Sequence, residues 1–204
     1  MRKATKVWLI LAASLVAVGC ILFASVMSTL QWDFAKLSTV RYETNTHEIS
    51  ETFRNISITT DTAGILFALS DDGKCRVECY EEENAKHSVR VEKDTLVVKI
   101  DPQKSWYDYI GFHFGSPKIT VYLPATEYNA LTAKGSTGNV EIPKETSFGN
   151  VDISLSTGNV DFCASAAKSV RIQTSTGNIR VENTSVDSLE ISVTTGTVKV
   201  SDIT

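Results

Sequence analysis

The chain has 204 residues, a formal net charge of −4 and 42% hydrophobic residues. This acidic balance, with no basic patch, excludes the nucleic-acid-binding classes. Its four cysteines, at positions 20, 75, 79 and 163, form neither a disulfide framework nor a metal-type spacing.

The first element is apolar. Residues 7–30 carry no charge. As a helix they would span about 36 Å, enough for a hydrocarbon core of roughly 30 Å with some tilt. Arg2, Lys3 and Lys6 precede the run, and basic residues on that flank keep the N-terminus in the cytoplasm. The expectation is an uncleaved single-pass anchor in the plasma membrane, residues 7–30, behind a cytoplasmic tail, 1–6. The bulk of the chain then lies extracytoplasmic. A cleaved signal peptide would have a shorter apolar core and a small-residue exit. Ala17-Val18-Gly19-Cys20 resembles a lipoprotein motif, but Ile21-Leu22-Phe23 follows where a polar terminus belongs.

Residues 31–52 are polar with little periodicity and read as a stalk. From Phe53 onward strand signals dominate, in Ile56-Ser57-Ile58, in 74–79, in Ser88-Val89-Arg90-Val91 and in 96–100, with turns at Asp71-Asp72-Gly73 and Glu92-Lys93-Asp94. Cys75 and Cys79 on one strand would have Cα atoms about 13 Å apart, beyond disulfide reach. They share a face with Val77 and read as core. His47, His87 and His113 are isolated in sequence. No metal, cofactor or catalytic residue is expected from these spacings.

Residues 101–118 break the strand pattern with Trp106, Tyr107, Tyr109, Phe112, His113 and Phe114. Two readings compete. The aromatics cap the end of a stacked core, or they present a ligand surface. The cap is the preferred reading, and this loop is the first choice for a ligand site if there is one.

Four near-copies of one pentapeptide follow. They are Ser136-Thr137-Gly138-Asn139-Val140, Ser156-Thr157-Gly158-Asn159-Val160, Ser175-Thr176-Gly177-Asn178-Ile179 and Thr194-Thr195-Gly196-Thr197-Val198. A near-fixed period of 19–20 residues marks a repeat architecture. Apolar residues fall seven and five before each glycine and two and four after it. Around Gly158 these are Val151, Ile153, Val160 and Phe162. Spacing by two is the strand period, so two short strands flank each corner. The glycine supplies a positive φ at low cost. An antiparallel meander is the alternative, but it gives no reason to repeat one corner four times. The expected fold is an all-β ectodomain, a β-solenoid with repeats about 131–204, within a domain at 53–204. Asp152, Arg171 and Glu190 would form an outward charge ladder, and Asp161 would face Arg180. The stacking would also bring the like charges Glu141/Asp161 and Arg180/Lys199 together. Asn139, Asn159 and Asn178 would form a side-chain amide ladder.

Lys118-Ile119-Thr120-Val121-Tyr122-Leu123-Pro124, then Tyr128-Asn129-Ala130-Leu131 and the Ser-Thr-Gly-Asn-Val units, resemble the bacterial "putative adhesin" family. The resemblance covers roughly 53–204. It implies an extracytoplasmic β-solenoid and carries over no catalytic residues. The chain stops at Asp202-Ile203-Thr204, directly after a repeat strand. The expectation there is a longer natural chain or a partner over the last coil.

The expected function is a non-catalytic, membrane-tethered module that binds an envelope polymer or protein. The alternative is a structural or regulatory subunit of a membrane complex. A polysaccharide-active enzyme is the third reading. It would need clustered acids, whereas the aligned ladders mix acids with Arg171, Arg180 and Lys199.

Overall fold

The computed structural model describes residues 3–37, 40–101 and 115–204. Two compact units result, one holding the N-terminal helix and one holding the strands.

Helix α1, Lys3–Thr29, is apolar on every side. Trp8, Ile10, Leu15 and Val16 all expose large side chains. A helix without a polar face is a membrane span or a buried core element, and none of its apolar window is buried. Three of its hydroxyls are satisfied within the helix. Ser14, Ser25 and Thr29 donate to the carbonyls of Leu11, Ile21 and Val26 at 2.7–2.8 Å, as an apolar surrounding demands. The helix fits a single-pass anchor or a signal sequence.

Among the described residues the second unit has fifteen strands. They are β1 (Tyr42–Ile49), β2 (Asn55–Thr59), β3 (Gly64–Leu69), β4 (Cys75–Glu82), β5 (His87–Glu92), β6 (Thr95–Ile100), β7 (Lys118–Leu123), β8 (Glu127–Thr137), β9 (Val140–Ile142), β10 (Ser147–Thr157), β11 (Val160–Phe162), β12 (Ser165–Thr176), β13 (Ile179–Thr184), β14 (Ser188–Thr195) and β15 (Val198–Ile203). They form two sheets, ordered β1-β4-β7-β3-β9-β11-β13-β15 and β14-β12-β10-β8-β2-β6-β5. Each Ser/Thr-Thr-Gly corner carries the chain from the second sheet to the first, so β8–β9, β10–β11, β12–β13 and β14–β15 are four arches laid side by side.

Parallel ladders put like residues beside like. Leu131, Val151, Val170 and Leu189 are in register, as are Ala133, Ile153, Ile172 and Ile191. In the other sheet Val140, Val160, Ile179 and Val198 align. Ala133, Ile153 and Ile172 are fully buried and Val140, Val160 and Ile179 nearly so, whereas on the last arch Leu189 and Ile191 are half-buried and Val198 is exposed. The outward positions pair by charge. Arg171 donates to Glu190 at 2.7 Å and Arg180 to Asp161 at 2.5 Å. Lys199 avoids Arg180 by reaching Glu182 at 2.7 Å.

The architecture departs from a uniform stack of parallel coils in two ways. First, strand orientation is mixed. β1–β4, β4–β7 and β5–β6 are antiparallel and close one end. Second, chain order is not spatial order. β2–β3 is made first, yet it lies in the middle, between β6–β7 on one side and β8–β9 on the other.

The β2–β3 arch is a fifth copy of the repeat. With Ala63 in the glycine's place, Ile56 and Ile58 fall seven and five before it and Ile65 and Phe67 two and four after it. Register confirms the equivalence: Ile56 and Ile58 lie beside Leu131 and Ala133, and Ile65 beside Val140. The Ser-Thr-Gly-Asn motif is replaced there by Asp61-Thr62-Ala63-Gly64, which hid the arch.

Residues 31–52, expected as a polar stalk, contain β1. Its inner face is Glu43, Asn45, His47 and Ile49, placed opposite Glu81, Cys79, Val77 and Cys75. Three of those four inward residues are polar, so no apolar alternation marked the strand.

Candidate functional site

Three chain reversals meet at one edge of the strand unit. β1 ends at Ile49 and runs through 50–53, β3 turns through 70–74 into β4, and β7 ends at Leu123 before Pro124. They line a half-open cavity of about 480 Å3, within the size range of small-molecule sites. Its interior is apolar, formed by Ile49, Phe53, Cys75, Pro124 and Tyr128, and its rim carries Glu48, Glu51, Asp72, Lys74 and Arg76. The aromatic wall is continuous with the core. Phe53 stacks on Tyr128 at 5.7 Å, and Tyr128 lies 6.0 Å from Phe148.

The rim is fixed locally. Gly73 takes φ +70°, which lets the turn tighten. Asp72 then accepts from the Ser70 hydroxyl at 2.6 Å and the Lys74 amide at 3.0 Å. These bonds hold its carboxyl below the usual range. Arg76 lies over the Tyr122 ring at 4.3 Å, a cation–π contact. Burial pushes the Cys75 thiol up to about 12 and raises the Tyr128 phenol as well. A neutral thiol is a poor nucleophile. The pocket therefore offers a shape, an aromatic wall and charges of both signs, which suits binding.

The repeat corners form a second feature. Gly138, Gly158, Gly177 and Gly196 have φ of +143° to +147°. The asparagines beside them do not pair amide to amide. Asn139 Oδ1 accepts the Asn159 backbone N–H at 2.9 Å, and Asn159 Oδ1 accepts that of Asn178 at 2.8 Å. Asn178 Oδ1 accepts the Thr197 N–H at 3.1 Å and its hydroxyl at 2.6 Å. Each side chain thus ties its corner to the backbone of the next. These are structural bonds along an exposed edge.

A third feature is buried at the antiparallel end. Cys79 and Glu81 on β4 and His87 on β5 bring one ligand atom each within 4.8 Å of one another. His87 Nδ1 is 2.7 Å from Glu81 Oε2, and its Nε2 is 2.9 Å from Thr60 Oγ1. The His87 backbone N–H also donates to Glu81 Oε2 at 2.6 Å, and Asn45 Nδ2 donates to Glu81 Oε1 at 2.8 Å. Glu81 is 1% exposed and Cys79 0%. Sequence spacing left the histidines isolated. The missed signal is alternation: if Cys75, Val77 and Cys79 face inward, so does Glu81, and a buried carboxylate requires partners.

Trp106, Tyr107, Tyr109, Phe112 and Phe114 lie outside the described residues. The pocket above was not anticipated, because its walls come from segments about 25 to 80 residues apart.

A family model, Toastrack DUF4097, matches residues 53–204. The chain belongs to the Toastrack DUF4097 family. Solved structures resemble this Toastrack chain. One is a "putative cell adhesion protein" from Clostridium sporogenes, 10% identical, covering 80% of this chain and 99% of its own, with a TM-score of 0.58. A "putative adhesin" from Bacteroides fragilis is 18% identical over 78% and 97% of the two chains, with a TM-score of 0.31. A "putative lipid binding protein" from Parabacteroides distasonis is 15% identical over 80% and 98%, with a TM-score of 0.31. No curated protein matches the chain. At these identities the likeness to the Clostridium protein speaks for the fold alone.

Proposed function

We propose that this Toastrack protein is a non-catalytic binding module tethered to the plasma membrane, which takes an envelope component into its edge pocket. In this reading residues 1–6 are cytoplasmic, 7–30 span the membrane and 31–40 lead to the strand unit. The arches of 53–204 are read as a β-solenoid with 19–20-residue repeats. The carrying observation is the 480 Å3 cavity with an apolar, aromatic interior and a mixed-charge rim. The pairing of exposed Asp161 and Glu190 with arginines supports a binding role over polysaccharide cleavage, which needs two carboxylates acting as acid and base or nucleophile. The adhesion name of the Clostridium neighbour points the same way.

Two measurements test this. External protease on intact, wall-stripped cells should digest the chain beyond Leu30, since the basic flank holds the other end inside. Full protection of that region overturns the topology. Next, the full chain in detergent micelles is applied to envelope fractions. Phe53→Ala and Lys74→Glu should each weaken retention by at least about tenfold, the scale of an anchor residue in a pocket. Melting should confirm that both variants fold. Undiminished retention by folded variants removes the pocket from the proposal. Loss on changing Trp106 and Phe114 to Ala, with unchanged melting, transfers the site to the aromatic loop.

A further inference from the structure

The buried cluster at the antiparallel end has a composition and an outer shell that the binding reading does not use. Cys79 and Glu81 on β4 of one sheet and His87 on β5 of the other offer sulfur, oxygen and nitrogen donors within 4.8 Å of one another. A tetrahedral zinc ion with bonds of about 2.0–2.3 Å places its ligand atoms roughly 3.3–3.7 Å apart. The 2.7 Å separation of His87 Nδ1 and Glu81 Oε2 needs to open by only about half an ångström to reach that edge length.

The surrounding bonds are those that orient metal ligands. A ligating histidine typically gives its second ring nitrogen to a hydrogen-bond partner, and a ligating carboxylate is itself held. Here Nε2 is within 2.9 Å of Thr60 Oγ1. With the proton on Nε2, Nδ1 presents its lone pair to Cys79 and Glu81. Asn45 grips the other carboxylate oxygen at 2.8 Å, and is itself held by Glu43, which pairs with Lys86.

A further nitrogen lies on the same face of the sheet. His47 lies on the inner face of β1, opposite Val77 and one inward position along from Asn45, the partner of Cys79. Diagonal neighbours on one sheet face lie about 7–8 Å apart, within reach of a long or aromatic side chain. Its Nε2 is buried and has no hydrogen-bond partner among the described residues. An unpartnered buried nitrogen is costly unless something else engages it.

We propose that Cys79, Glu81 and His87 form a zinc-class metal site, with His47 supplying the fourth ligand. The ion replaces the proton of the Cys79 thiol, which passes to solvent, while His87 binds as the neutral imidazole with its single proton on Nε2. The donor set of one sulfur, two imidazoles and one carboxylate selects a borderline-soft tetrahedral ion over magnesium or calcium. The site would clamp β1 and β4 of one sheet to β5 of the other.

The test uses the full chain in detergent micelles, stripped with chelator and titrated with Co2+. The expected result is one Co2+ per chain, tetrahedral d–d bands and a thiolate-to-cobalt charge-transfer band, all removed by added Zn2+. Cys79→Ser should abolish the charge-transfer band, and Cys163→Ser should leave it intact. His47→Gln should weaken binding by at least about tenfold. No thiolate band, or one that survives Cys79→Ser, overturns the site. Unchanged affinity in His47→Gln overturns the fourth ligand. If Cys79→Ser does not fold, X-ray absorption on the zinc-loaded wild-type chain decides. One sulfur near 2.3 Å with nitrogen or oxygen neighbours near 2.0 Å supports the proposal, and no sulfur or two sulfurs overturns it.

Discussion

Replacing Ile172 by Asp should cost about 4 kcal/mol or more, because it buries a carboxylate with no partner. Ile172 is fully buried and lies between Ile153 and Ile191 in register. The charge cannot reach solvent without separating β12 from a neighbour. Arg171→Asp, one residue away, should cost far less, about 1 kcal/mol, although it sets a third acid in register with Asp152 and Glu190. It loses a pair with Glu190 whose two side chains are each 55% exposed, and such surface pairs contribute about 0–1 kcal/mol. Ile172→Val should fall near 1 kcal/mol, the usual cost of one buried methyl group. Thermal or denaturant unfolding of the three variants measures the order. Equal losses for the two Asp variants would contradict the inward–outward register.

What the sequence made legible follows from where the physics is local. The Ser-Thr-Gly-Asn corners are legible because each arch meets the same neighbour in the same way, so the same residues return. The β2–β3 arch obeys the same apolar offsets, but Ala63 and Gly64 break the corner motif that the eye follows. The placement of β2–β3 in the middle of the sheets is a long-range pairing choice. No local pattern encodes it, since Ile56 and Ile58 look alike to either neighbour. β1 was illegible for the opposite reason. It turns Glu43, Asn45 and His47 inward, against the rule that inward positions are apolar.

The candidate sites divide in the same way. Gly158 and Asn159 announce their corner, because both the φ angle and the Oδ1 bond to the next backbone are local needs. The edge pocket joins Phe53, Cys75 and Tyr128 through three separate reversals, and only the folded topology brings those together. Cys79 and Glu81 stand in between. Their spacing places both on the inner face of β4, but the partner His87 is reached only because the chain reverses after Glu82 and crosses to the other sheet.

The corner glycines carry the second large effect. A Cβ on Gly158 would sit 1.9 Å from the carbonyl oxygen of Gly138, a backbone atom that cannot rotate away. Its φ of +147° is also a conformation that residues with a side chain rarely adopt. Gly158→Ala therefore forces the two corners apart. The bonds from Gly138 N–H to Thr157 O at 3.0 Å and from Gly158 N–H to Thr176 O at 2.9 Å lie directly in the way. The expected loss is about 3 kcal/mol or more, combining strain of order 1–3 kcal/mol with weakened corner bonds. Gly73→Ala separates the two causes. Gly73 also has a positive φ, +70°, but an added Cβ there meets nothing within 4 Å, so only the conformational cost of about 1–2 kcal/mol applies. Equilibrium unfolding of both variants against wild type gives the comparison. If Gly158→Ala loses no more than Gly73→Ala, the arches do not approach as closely as the corner geometry requires. If it loses clearly more, the recurring glycine is explained by the passage of one corner's carbonyl under the next, with its positive φ as the lesser cause.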